Sequence, residues 1–354
     1  MNLLLNNAKL QAPLAKLRNR ISSIWRILFK ISGHYQPILP EDKAFVLKRT
    51  ITFKGDSPRQ IAGGAHEQGR MVFRNPRPTM EAVKDLVVTP LGAAWVGRTL
   101  YERYSSSRPG LRMLLSRGQV SKVYPSGYFI QSAHRDTYGD WMSEYLGALA
   151  RAGEIDAPLF LPAALARKPY VKRDLTALNI DYIAVEHSIK IESAKVLRQR
   201  KHFVHFSPED IAALRTILRI TPQPPRVGSI LYLSRRGEGS EVAVRRYPNE
   251  VVEKIVTERG GRVLLTKSTS CDEYQRAAVD AETVIFDHGS AMYNALGWRP
   301  KRIVELVSDD WWNNAFLMFA DAMGVDDITI ICGDLGDAHV ASMLTKALDE
   351  SGEN

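Results

Sequence analysis

The chain has 354 residues, 45% of them apolar and 25% charged, which is enough for two globular domains of ordinary size. A net charge of +9 favours anionic partners, whether phosphorylated small molecules, an anionic membrane surface or nucleic acid. Two cysteines, Cys271 and Cys332, exclude a disulfide framework and a cysteine metal cluster and fit a cytoplasmic, reducing setting; no apolar run reaches the roughly 18 residues of a membrane-spanning helix.

Residues 1–79 read as a basic N-terminal extension. Leu14, Leu17, Ile21, Ile24, Leu28 and Ile31 recur at helical spacing, with Lys16, Arg18, Arg20, Arg26 and Lys30 between them. Such a helix either packs on its own domain or lies in an anionic membrane interface as a peripheral anchor. Residues 44–53 are strand-like.

Residues 80–220 read as a first domain. A short helix is expected over 80–88, and a strand or a second helix start over 91–96. The strand-rich stretch 120–130 carries a turn signal at Pro125-Ser126-Gly127. Residues 136–141 lead into a helix over 142–151. Asp140 and Glu144 lie four apart on one face of it, near its N-terminus. A carboxylate there serves either as an N-cap or as a general base. Strands over 158–161 and 182–185 flank a helix over 170–178, an alternation that implies a parallel sheet. The basic run Arg198 to His202 fits a solvated face better than a nucleic-acid site. Ser207-Pro208-Glu209-Asp210 opens a helix to about residue 218.

The segment 221–226, Thr-Pro-Gln-Pro-Pro-Arg, breaks regular structure and reads as a hinge. After it, strands over 230–233, 262–265, 283–286, 302–306 and 328–332 alternate with helices over 248–258, 271–279, 312–323 and 338–348. This is a doubly wound pattern of the nucleotide-binding type. One stretch within it organises the reading. The apolar run Val284-Ile285-Phe286 stops at Asp287-His288-Gly289-Ser290, and a helix-compatible segment follows at once. Gly289 lets backbone approach a ligand, Ser290 can cap the helix, and the free N–H groups there suit a phosphate. The alternative is an ordinary strand–helix turn. Arg235, Arg236, Arg245 and Arg246 flank the loop after the first strand, at the same sheet edge, where guanidinium groups can grip phosphate oxygens. Glu305, near its strand end, is either a ribose ligand or a solvated carboxylate.

The residues Tyr232-Leu233-Ser234-Arg235-Arg236, Arg246, Asn249-Glu250, Glu273, His288-Gly289-Ser290-Ala291 with Asn294, and Val304-Glu305-Leu306 resemble, in order and spacing, the pattern of glycosyltransferase family 61. Tyr138-Gly139-Asp140-Trp141 is similar to that family's Tyr-x-His-Trp helix start. The resemblance implies a GT-B-like α/β fold, two Rossmann-type domains facing across a cleft. It implies an inverting transferase that needs no metal or cofactor and moves a sugar from a nucleotide sugar, expected to be UDP-linked, to a saccharide or lipid-linked acceptor in surface polysaccharide assembly. Arg235 or Arg236, with Arg246, would hold the diphosphate, with Asn249, Glu250 and Asn294 also on the donor side. His288 with the backbone of Gly289 and Ser290 would stabilise the leaving phosphate, Glu305 would take the ribose, and Asp140 would be the base. This chain departs from the family pattern at Asp140, where relatives carry His, at Ser290-Ala291 in place of Ala-Gly, and at Tyr274 in place of Gln. A non-catalytic nucleotide-sugar-binding or scaffold subunit is the alternative. A nucleic-acid partner is not expected, because basic and aromatic residues are not interleaved.

Overall fold

The computed structural model describes residues 36–37, 45–49, 52–55, 61–62, 64–67, 70–75, 79–97, 99–101, 117–131, 137–198, 206, 208–237, 247–266, 269, 273–274, 280–308, 312–313, 315–325, 327–333 and 336–349. The basic helix expected over 14–31, Arg245, Arg246, Cys271 and all but the first residue of the 198–202 run lie outside them. Of the helix expected over 271–279, only Glu273 and Tyr274 are described, and both are helical. No helix among the described residues is long and apolar enough to cross a membrane.

The fold is mixed α/β with parallel-rich sheets. Contacts divide the chain into two compact units. One comprises Met1–Glu41, Pro78–Asp136 and Glu154–His202, and the other Asp42–Arg77, Thr137–Gly153 and Phe203–Asn354. The division therefore does not fall at the expected hinge, and 221–226 lies inside the second unit. Of the stretch before residue 80, Asp42–Arg77 groups with the second unit as well.

In the first unit the strands Tyr182–Val185, Leu159–Pro162, Lys122–Gln131 and Ile189–Arg198 run parallel, in that order. The sheet continues antiparallel through Thr79–Val88, Ala94–Val96 and Thr99–Leu100. Residues 80–88 are therefore strand where a helix was expected. Met80, Glu81, Ala82 and Lys84 are good helix formers. However, the segment sits between two strands, and pairing both its edges satisfies more backbone than local propensity can outweigh. Leu86 and Val88 join Phe129, Phe160, Ile191 and Val196 in the core of this unit.

The turn expected at Pro125-Ser126-Gly127 is also absent, and Lys122–Gln131 runs through it as one strand. Packing accounts for the glycine. A Cβ on Gly127 would lie 2.2 Å from Cε2 of Phe160, so the bare backbone makes room for that ring.

The second unit is built on a six-stranded parallel sheet in the order Arg262–Leu265, Arg226–Ser234, Ala281–Asp287, Arg302–Ser308, Asp327–Gly333, Thr52–Gly55. Tyr232, Ile285, Val304 and Ile331 from four of its strands pack with Val252 and Val256 of the helix Asn249–Glu258 and Leu344 of the helix Asp337–Asp349. Numbered along the chain, the first five strands follow the order 2-1-3-4-5. Growth of the sheet thus reverses between Arg226–Ser234 and Ala281–Asp287. The sixth strand, Thr52–Gly55, comes from the stretch read as a basic extension. The strand-like segment over 44–53 is in fact two strands. The first, Phe45–Arg49, pairs with Arg70–Asn75 in a separate small sheet. The helix expected over 312–323 is shorter, Ala315–Ala322, because Trp312–Asn313 pairs with Ile61–Ala62.

Gly127→Ala is expected to destabilise the protein by about 1–3 kcal/mol, the usual cost of overpacking. Urea unfolding will check it, and Phe160→Leu in the same chain should return part of the loss.

Candidate functional site

In open α/β sheets, ligands bind outside the carboxyl ends of the strands where the strand order reverses. Here that place lies between Ser234 and Asp287, the last residues of two adjacent strands. The residues that follow them are Arg235 and His288.

The two strand ends are tied through Asp287. Its carboxylate accepts hydrogen bonds from the backbone N–H of Arg235 at 2.8 Å, the hydroxyl of Tyr232 at 2.8 Å and the amide of Asn249 at 2.7 Å. The Asn249 amide also donates to the Tyr232 oxygen at 2.7 Å. Asp287 is 1% exposed. Burial pushes its pKa up to about 6 against the lowering effect of these three donors and of the nearby guanidinium. The Tyr232 phenol is pushed well up, first by burial and then by the Asp287 charge.

Arg235 is half-buried and turns back across the strand gap, donating from Nη1 to the carbonyl of His288 at 3.0 Å. A Cβ on Gly289 would stand 3.0 Å from that Nη1. Gly289 has extended backbone, φ 174°, so the position needs space for the arginine and not an unusual φ. Arg236 is held separately. Its Nε meets Glu253 Oε1 at 3.1 Å, the Ser234 hydroxyl donates to the same oxygen at 2.8 Å, and the Arg236 N–H donates to Ser234 Oγ at 3.2 Å.

After Asp287 the chain enters a 3₁₀ helix, Ser290–Gly297. Gly289 occupies the cap position and Ser290 makes no capping bond, so the expected serine cap is replaced by open backbone. The first N–H groups of such a helix have no intrahelical acceptor.

His288 and Glu305 form a buried pair, each 1% exposed, with Nδ1 of the imidazole on Oε1 of the carboxylate. The His288 ring meets Phe316 edge-on at 5.0 Å, and its backbone N–H donates to Leu306 at 2.9 Å. Glu305 is therefore not a solvated strand end: it is buried as the partner of the imidazole. The turn presents the backbone of His288 at the strand end, while its ring is packed inside.

The segment Thr137–Gly153 belongs to this same unit. The Tyr138 hydroxyl donates to Asn294 Oδ1 at 2.7 Å, and a Cβ on Gly139 would come 3.0 Å from the Ser290 Cβ. Asp140 thus lies beside the first turn of the 3₁₀ helix. It is the third residue of its own helix, not the N-cap. Thr137 is the cap, and the Asp140 carboxylate accepts from its hydroxyl at 2.6 Å and its N–H at 3.3 Å. The helix then widens to a π turn over Trp141–Leu146, a form that recurs at functional sites. Glu144 in that turn is buried. Tyr293 faces it, its phenol pushed up by burial and by the Asp140 and Glu144 charges, against a hydrogen bond with Ser143.

Of the residues expected at the site, Arg235, Asn249, His288, Gly289, Ser290, Asn294, Glu305 and Asp140 gather at this end of the sheet. Asn249 and Asn294 act as internal struts there. Arg236 is half exposed on its latch with Glu253. Glu250 is exposed in the first helical turn, and Arg246 lies outside the described residues. Sequence reasoning gave no role to Asp287, Tyr232 or Glu253. The available signal was a carboxylate closing the apolar run Val284-Ile285-Phe286, together with a glutamate four residues after Asn249. Among the described residues no group of three His, Cys, Asp or Glu side chains is placed to hold a metal ion.

No protein-family model matches the chain, and comparison with curated proteins gives no significant match.

The raised pKa of Asp287 gives its contribution to stability a definite sign. It is fully present below the unfolded value of 3.8 and is lost as pH rises through about 6, because the native state holds the proton more tightly. Asp287→Asn should abolish this dependence between pH 4 and 7. It should cost most near pH 4, about 1–3 kcal/mol, since one amide replaces a group that meets three donors together, and less as pH rises through about 6. Denaturant titrations across that range will read both. His288→Ala should lower stability by about 3–5 kcal/mol by leaving the Glu305 carboxylate buried without its imidazole, as a thermal melt at pH 7 will show.

Proposed function

We propose that the chain is an inverting, metal-independent glycosyltransferase of the family 61 type, acting on a nucleotide sugar in surface polysaccharide assembly. One observation carries the reading. Arg235 and the open backbone of Gly289 and Ser290 stand together where the order of a parallel sheet reverses, and Tyr232, Asn249 and His288, which help hold them there, belong to the family-like pattern. On this reading the two compact units are the halves of a GT-B enzyme, and the donor is UDP-linked. The basic N-terminal stretch would draw a lipid-linked acceptor from an anionic leaflet.

The chemistry follows from charge. Asp140 takes the proton of the acceptor hydroxyl, whose oxygen attacks the anomeric carbon on the face opposite the nucleotide. The bond to the diphosphate breaks with inversion, and the pair of electrons goes to the phosphate oxygen. Arg235, Arg236 and the N–H groups of residues 289 and 290 meet the charge that develops there. The buried His288–Glu305 pair holds the turn in shape.

A second reading, a nucleotide-sugar-binding subunit without catalysis, draws on the Asp140 carboxylate being engaged by Thr137 in a helix cap.

The test is thermal melting against nucleoside diphosphates, inorganic pyrophosphate and nucleotide sugars. A ligand at 100 times its dissociation constant adds about 2.7 kcal/mol to the folded state, a shift of several degrees. UDP or a relative is expected to give that shift, and Arg235→Ala to lose most of it. If no nucleotide or pyrophosphate raises the melting point, the reading is overturned. Nucleotide binding without nucleoside diphosphate release on any acceptor, unchanged in Asp140→Asn, decides for the second reading.

A further inference from the structure

The two arginines of the Ser234-Arg235-Arg236 turn are held by different kinds of acceptor. Arg235 donates to a neutral carbonyl, and Arg236 to the carboxylate of Glu253. The second contact is not an ordinary surface ion pair. Glu253 is only 15% exposed in its side chain, against 50% for Arg236. Its Oε1 is also fixed from below by the hydroxyl of Ser234, a residue with no exposed surface. That hydroxyl accepts the Arg236 N–H in return, so Ser234, Arg236 and Glu253 close a ring. Glu253 lies one helical turn after Asn249, whose amide braces Asp287. A single face of the helix Asn249–Glu258 therefore sets both the conformation of the turn and the charge its second arginine shows to solvent.

We infer that Glu253 is a latch on Arg236 and sets the affinity of the switch-point site for phosphate-bearing ligands. This deepens the donor-site reading above and rests on it. An incoming diphosphate meets Arg235 and the open backbone of Gly289 and Ser290 at the strand ends. Arg236 can reach the anion only by releasing Glu253. When the nucleoside diphosphate departs as product, Glu253 takes Arg236 back and lowers the residual hold on it. The ligand class is a di-anion or higher, such as pyrophosphate or a nucleoside diphosphate, because a single negative charge gains too little from a second guanidinium to displace a carboxylate already in place.

The experiment is calorimetric titration of inorganic pyrophosphate into the full-length protein and three variants: Glu253→Gln, Arg236→Ala and the double substitution. Glutamine keeps the acceptor for Ser234 but not the charge that holds Arg236. Glu253→Gln is expected to bind pyrophosphate about three-fold more tightly, the scale of one partly exposed ion pair. Arg236→Ala is expected to bind more weakly, and Glu253→Gln to have no effect in the Arg236→Ala background. Equal affinity in Glu253→Gln and the unaltered protein overturns the latch. So does a gain that persists without Arg236, which would mean simple charge repulsion by Glu253. If the unaltered protein binds pyrophosphate and only these comparisons fail, the latch falls and the donor site stands; if it binds neither pyrophosphate nor nucleoside diphosphates, both fall. Should Glu253→Gln fail to fold, Glu253→Asp, whose shorter arm opens the contact to Arg236, is expected to give a smaller gain in the same direction, and no gain there sinks the latch.

Discussion

The second unit depends on one buried negative charge. The carboxylate of Asp287 sits between two adjacent strands at the point where the sheet reverses its order, with 1% of its surface exposed. Three donors converge on it, from a strand interior, a loop and a helix start: Tyr232, the Arg235 backbone and Asn249. Burial and hydrogen bonding act in opposite directions on its proton. The upward shift to about 6 means that burial wins even against three donors and a nearby guanidinium. Such a group adds little to stability near neutral pH. What it does is restrict geometry, because each donor is satisfied in only one arrangement of the Arg235 loop.

The His288–Glu305 pair does for the other side of the gap what Asp287 does for the first. With the ring packed against Phe316 and the carboxylate beneath it, the backbone of the turn has little freedom. What remains outward is the backbone from Gly289 to Ala291, bordered by the Arg235 guanidinium, which a side chain at residue 289 would crowd. A site of this kind works by dipoles held in place before the ligand arrives. It suits charge that moves during a reaction better than charge already fixed at one atom.

Much of the second unit was legible from sequence because its strands and helices alternate and carry clear breakers. Gly260, with φ +72°, ends the helix Asn249–Glu258, and Pro208 opens the one before. The errors have a common cause: each segment was decided by a partner far away in sequence. Residues 80–88 have the composition of a helix and became strand because neighbours on both sides pair with them. Thr52–Gly55 looked like part of a loose basic arm and is the sixth strand of a sheet whose other members begin at Arg226. Pro125-Ser126-Gly127 has turn chemistry, yet the glycine serves the ring of Phe160. At the site, residue types were readable and exposure was not. Glu305 and His288 look like ligand-binding groups in a string of letters, and only packing reveals that each is the other's partner.

The position of Thr137–Gly153 bears on chemistry as well as on boundaries. Linear order assigns this helix to the first domain, with the base it carries approaching the donor from another body. In space it belongs to the unit that holds the arginines. Tyr138 is bonded to Asn294, and Gly139 is close enough to Ser290 that no larger residue fits without displacement. On the transferase reading, the carboxylate that takes the acceptor proton and the groups that receive the leaving diphosphate are then fixed to one another within a single unit. A proton acceptor placed in this way keeps its position relative to the leaving-group site while the acceptor arrives. The step left to motion is delivery of the acceptor hydroxyl.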